Sequence, residues 1–153
     1  MIEIKGVEGM KLLIDYYNCD LEEVNEVLKS GIVRVEGYNK ESKKLLLYCK
    51  NKKVVEFFHD QNCCENVWLE DGDGIVSGFD IFTDCDWCRL EVAEKCNGDE
   101  GVSPLDKYDD SYTWTFYKFT TNKGYDTIRW YGTSNGNYSE SVDFRIWKEI
   151  QNG

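Results

Sequence analysis

The last third of the chain alternates with a period of two. Between residues 111 and 119, Tyr112, Trp114 and Phe116 share one face, and Thr113, Thr115 and Tyr117 share the other. A β-strand sends successive side chains to opposite faces, and aromatic and Thr residues suit it. Residues 122–124 then read as a turn. Residues 126–131 return with Ile128 and Trp130 together. The pair Asn135-Gly136 suits a tight hairpin turn. Residues 138–144 set Tyr138, Val142 and Phe144 against Ser139, Ser141 and Asp143. Alternating strands joined by short turns pair antiparallel, so residues 111–147 are expected to form an aromatic meander.

A second meander is expected over residues 32–69. Its strands are 32–35, 44–49 and 53–58, with 67–69 as an extension. Ahead of it, Asp20 and Glu23 have the spacing of a capping box. Leu21, Val24, Val27 and Leu28 follow at helical intervals, and Gly31 suits the helix end. Residues 7–17 fit a helix or a strand. Between the meanders, residues 70–110 read as an acidic, loop-rich insert, with a short strand over 88–93. The expectation is one α+β domain. It has one or two N-terminal helices within residues 1–31, an antiparallel sheet of two meanders, and the insert between them.

The chain has 153 residues, 41% hydrophobic and 14% aromatic, which suffices for a real core. It holds no apolar run long enough for a transmembrane helix, and residues 1–5 lack a signal-peptide layout. The expected location is the cytoplasm. Seven cysteines, an odd number, argue against a closed disulfide framework and for thiols or metal ligands. A net charge of −11 disfavours direct binding to nucleic acid or to an anionic membrane.

Three stretches carry a resemblance. They are His59-Asp-Gln-Asn-Cys-Cys-Glu65, Ser111-Tyr-Thr-Trp-Thr-Phe-Tyr-Lys118, and Gly124-Tyr-Asp-Thr-Ile-Arg-Trp-Tyr-Gly132 with residues 134–136 and 138–144. Across roughly residues 32–144 the chain resembles a family of small, uncharacterised phage and bacterial proteins that carry a domain of unknown function. Residues 72–96 lie outside the resemblance. It implies no known reaction; it implies an origin in a phage or mobile element, and the host cytoplasm as the location if phage-encoded.

Three chemistries merit weighing. His59, Cys63, Cys85 and Cys88 supply the four N and S ligands that tetrahedral zinc takes, with Cys85 and Cys88 spaced as in a zinc knuckle. The plain alternative is small, partly buried thiols beside a hydrogen-bonded His. His59, the only histidine, stands four residues before Cys63, so any Cys–His dyad must use it. No nucleophile-elbow or phosphate-loop motif supports catalysis. Asp71-Gly-Asp73-Gly74 opens like a calcium loop but lacks the later ligands.

The acidic charge is concentrated. Residues 55–110 carry 16 acids against three bases, while the flanks are nearly neutral. Asp71, Asp73, Asp80, Asp84, Asp86, Asp99, Glu100, Asp106, Asp109 and Asp110 fall mostly in expected loops, which place side chains at the surface. Such a field suits a partner protein with a basic, nucleic-acid-binding surface. The leading expectation is therefore a non-enzymatic, phage-type inhibitor of a host effector, such as a CRISPR complex or another defence nuclease. The alternatives are a small zinc-stabilised structural or regulatory module, and a cysteine-dependent enzyme using His59.

Overall fold

The computed structural model describes residues 4–7, 10–97 and 101–151. Its elements in chain order are β1 (Ile4–Val7), β2 (Met10–Asn18), α1 (Leu21–Leu28), β3 (Ile32–Glu36), β4 (Lys44–Cys49), β5 (Lys53–Phe58) and β6 (Asn66–Gly72). There follow α2 (Asp73–Ser77), β7 (Cys88–Asn97), β8 (Ser111–Thr121), β9 (Gly124–Ser134) and β10 (Asp143–Gln151). The fold is α+β and mostly sheet, and every strand pairing is antiparallel.

The strands form two sheets. The first has six strands in the order β1-β2-β10-β5-β4-β3, and the second has four in the order β6-β9-β8-β7. Their inner faces meet. Leu45, Leu47, Val55, Phe57 and Ile146 of the first sheet share one core with Val67, Leu69, Leu90, Tyr117, Phe119, Ile128 and Trp130 of the second. Phe57 touches both Tyr117 and Phe119, with ring centres 4.8 and 5.6 Å apart. Val24, Val27 and Leu28 seat α1 on the same core. Its start is the expected capping box: the Asp20 carboxylate accepts from the Glu23 N–H, and the Glu23 carboxylate accepts from the Asp20 N–H. Gly31 follows at φ 90°, and a Cβ there would collide with the Cys85 backbone. The glycine is what lets the chain turn from α1 into β3 against that loop.

Several expectations change. Residues 10–18 form a strand, so α1 is the one helix described ahead of β3. The 67–69 stretch does not extend the first meander. It belongs to β6, which pairs with β9 in the second sheet. The loop-rich stretch 70–110 holds more regular structure than expected: it contains α2 and the ten-residue β7, and it sends Ile81, Phe82, Cys85, Cys88 and Leu90 into the core. The last strand begins at Asp143 rather than Tyr138, and it crosses over to lie between β2 and β5. A strand between two neighbours can be buried on both faces, which erases the alternation that marks a half-buried one. Here Ile146 faces the shared core while Trp147 packs with Leu46, Tyr48 and Val54 behind it.

Candidate functional site

Many of the acidic side chains have internal work. Asp71 and Asp73 hold Arg129 at 3.3 and 3.4 Å, and Asp73 also accepts from the Thr127 N–H. The guanidinium thus stands where a calcium loop would hold its ion. Asp80 accepts from the Phe82 and Thr83 N–H groups and from the Thr83 hydroxyl. Asp109 accepts from the Tyr131 hydroxyl, and Asp106 from the Tyr108 N–H. Asp99 and Glu100 lie outside the described residues.

Asp84, Asp86, Asp106 and Asp110 are exposed. They do not form one patch. Asp84 and Asp86 stand beside the β8–β9 turn, where Asp86 meets Asn122. Asp106 and Asp110 precede the opposite end of β8. An eleven-residue strand separates the two groups by roughly 35 Å at ~3.4 Å per residue. The strand leaving the first group is β7, an edge of its sheet, and its Glu91 and Glu94 are also exposed. Asp84, Asp86, Glu91 and Glu94 therefore line one margin of the molecule. Arg89 and Lys95 on this strand pair with Glu91 and Asp143. Trp87 lies among them, 42% exposed. Glu91 and Glu94 were not singled out in the sequence, although the charged residues of 89–95 mark a protected edge strand.

The His59–Glu65 stretch is a tight loop built around one carboxylate. Glu65 is buried, and it accepts from the Cys63 N–H at 2.7 Å, the Gln61 amide at 3.0 Å and the Asn62 N–H at 3.3 Å. The His59 Nε2 lies 3.2 Å away. Burial works to raise the Glu65 carboxyl, but the Cys63 N–H, its own N–H, His59 and the Asn62 N–H outweigh it and hold the group down at about 2. The other ring nitrogen, Nδ1, sits 2.7 Å from the Ser141 carbonyl. A carbonyl only accepts, so Nδ1 carries a proton there. Both imidazole nitrogens thus face oxygens rather than a thiol. Cys63 and Cys64 are exposed, with their sulfurs 2.9 Å apart, and the Cys63 neighbour pushes the Cys64 thiol up. A thiol displaced upward is a poorer nucleophile at neutral pH.

The other two expected zinc ligands lie elsewhere. Cys85 and Cys88 are buried in the shared core, and burial raises both thiols. Among the described residues, no three His, Cys, Asp or Glu side chains gather to hold a metal ion.

The outer face of the second sheet is the part that sequence reasoning read least well. Tyr112, Trp114 and Phe116 share a face as expected, but it faces away from the core, where Thr115, Tyr117 and Phe119 point. Tyr131 from β9 and Trp68 from β6 join them, and the loop after β7 folds over part of the layer. The Trp114 indole donates to the Ser103 carbonyl, and the Tyr131 hydroxyl accepts from the Leu105 N–H. The layer opens into two hollows, one of about 440 Å³ beside Trp68 and one of about 370 Å³ between that loop's Leu105 and Trp114. Asp126, buried on the inner side of β9, accepts from the Tyr38 hydroxyl and from the N–H groups of Asp73 and Gly74, fixing α2, whose Ile75 and Val76 line the second hollow.

A family model described as a domain of unknown function, DUF7448, matches residues 25–144. The chain belongs to the DUF7448 family. The matched range spans residues 72–96, so α2 and β7 lie within it. No curated protein and no solved structure matches the chain. Among the described residues, no helix is long and apolar enough to cross a membrane.

Proposed function

We propose that this DUF7448 protein is a non-catalytic binding protein that engages a basic surface of a partner along its β7 margin. The observation that carries the reading is the set of exposed carboxylates Asp84 and Asp86, just ahead of edge strand β7, and Glu91 and Glu94 on it, with half-exposed Trp87 between them. Charge at an interface steers encounter, and a Trp at its centre supplies buried area. Two ion pairs that these acids make, Lys50 with Asp86 at 3.7 Å and Arg89 with Glu91 at 3.2 Å, are surface pairs. Such pairs contribute about 0–1 kcal/mol and yield readily to a partner's Lys or Arg. Trp87 stands beside a hollow of about 230 Å³ between α1 and β7, lined also by Glu26, Lys29 and Arg89.

The partner class is a protein whose Lys and Arg residues serve nucleic acid, of which a defence nuclease is an example. The experiment is quantitative affinity capture with two variants. Replacing Asp84, Asp86, Glu91 and Glu94 by their amides is expected to abolish capture. Replacing Asp71 and Asp73, which are tied to Arg129, is expected to leave it intact. Equal capture by the four-site variant overturns the proposal.

A further inference from the structure

We propose that the groove on the outer face of the second sheet is a binding site for a neutral oligosaccharide. The two hollows share Lys40 and Glu70, whose ion pair at 3.1 Å forms the saddle between them. Trp68 lines one hollow and Trp114 the other. The Tyr131 ring meets both indoles edge-on, at 5.3 and 4.8 Å, and stands between them on β9. Both indole N–H groups are already spent, on the Glu70 carboxylate and the Ser103 carbonyl. What the indoles retain for a ligand is the ring surface left open beside Lys43, which lies 5.8 Å from the Trp68 ring centre, and beside Phe116, which stacks on Trp114 at 6.1 Å. The face of an aromatic ring is electronegative, and the C–H face of a sugar ring is its complement.

Charge selects the class. Three cations line the groove, Lys40, Lys43 and Arg129, against three anions, Glu41, Glu70 and Asp71. The central ones are paired with each other: Lys40 with Glu70, and Arg129 with Asp71 and also with Asp73. A phosphate would have to draw Arg129 away from two aspartates, and a cation would have to draw Glu70 away from Lys40. A neutral hydroxyl does neither, since it can accept from the cation and donate to the anion of the same pair. Alternating donors and acceptors above two aromatic planes match the rim and the face of consecutive sugar rings. Ligand sites combine aromatic walls with a few placed polar groups in this way. The proposal is independent of the β7 margin and leaves that reading untouched whatever its outcome.

The test is a panel of neutral oligosaccharides, of gluco, xylo, manno and N-acetylglucosamine types, titrated against the full chain by calorimetry and by tryptophan emission. A single-stranded oligonucleotide serves as the anionic comparison. Saturable binding of at least one neutral sugar is expected, with no binding of the oligonucleotide. Trp114→Ala and, separately, Trp68→Ala are each expected to weaken sugar binding by about tenfold or more. The melting transition of each variant reports folding, and protection of the wild-type indoles from acrylamide quenching gives a readout that needs no variant. Absence of binding across the panel overturns the proposal. So does sugar binding that leaves indole quenching unchanged and survives both substitutions, and so does preference for the oligonucleotide.

Discussion

At the scale of single residues, buried groups with settled partners carry the sharpest expectations. The Glu65 carboxyl is held at about 2 against an ordinary value of 4.5. A carboxyl depressed by folding adds stability that is present above the ordinary value and is lost as pH falls through the depressed one. Wild type is therefore expected to exceed Glu65→Gln in urea midpoint at pH 7, and the gap to shrink as pH drops from 4.5 toward 2. A gap that stays constant over that window contradicts the Glu65 nest. Cys85 tests the zinc reading. It is fully buried in the core, beside the tight turn at Gly31. Cys85→Ser is expected to cost about 1–3 kcal/mol by burying a hydroxyl. Unfolding curves with and without a chelator are expected to show the same loss; a loss that vanishes in chelator would restore zinc as a ligand of Cys85.

At the scale of elements, α1 meets β7 through the shared apolar core and through the polar side chain of Asn25. Asn25 accepts from the Leu90 N–H at 2.7 Å and donates to the Leu90 carbonyl at 3.0 Å, so it acts as a one-residue neighbour for an edge strand. Asn25→Ala is expected to cost about 1–3 kcal/mol by stranding that pair, and to speed hydrogen exchange at the Leu90 amide; unchanged exchange there contradicts the role. Helix α1 and strands β3, β4, β5, β8 and β9 were legible in the sequence because each has a clean period and a marked end, such as Asp20 with Glu23, or Asn122 with Gly124. Strand β10 was misplaced because Arg145, Ile146 and Trp147 are enclosed from both sides, which removes the alternation. The full length of β7 was hidden by Glu94 and Lys95, which look like loop residues and instead guard an edge. Partnering between sheets was not legible: nothing local in Val67–Leu69 says that it will meet β9 rather than β5. The same holds for the groove, whose Lys40, Trp68, Trp114 and Arg129 come from four separate stretches.

At the scale of the whole molecule, the charge segregation seen in the sequence survives in altered form. The block of 16 acids does not make one acidic face. Folding spends Asp71, Asp73, Asp80 and Asp109 on contacts within the chain, sets Asp106 and Asp110 at the far end of β8, and leaves Asp84, Asp86, Glu91 and Glu94 exposed at the β7 margin. The two surfaces proposed here are chemically distinct. The β7 margin is unbalanced in charge and the groove is balanced, so salt acts on the first and leaves the second nearly unchanged. The most direct measurement of the central claim is the association rate of the captured partner as ionic strength rises. Steering by Asp84, Asp86, Glu91 and Glu94 predicts a rate that falls steeply with salt in wild type and is slow and nearly flat in the four-amide variant. An association rate that is flat with salt in wild type, or equal in the two proteins, would contradict the acidic-margin account.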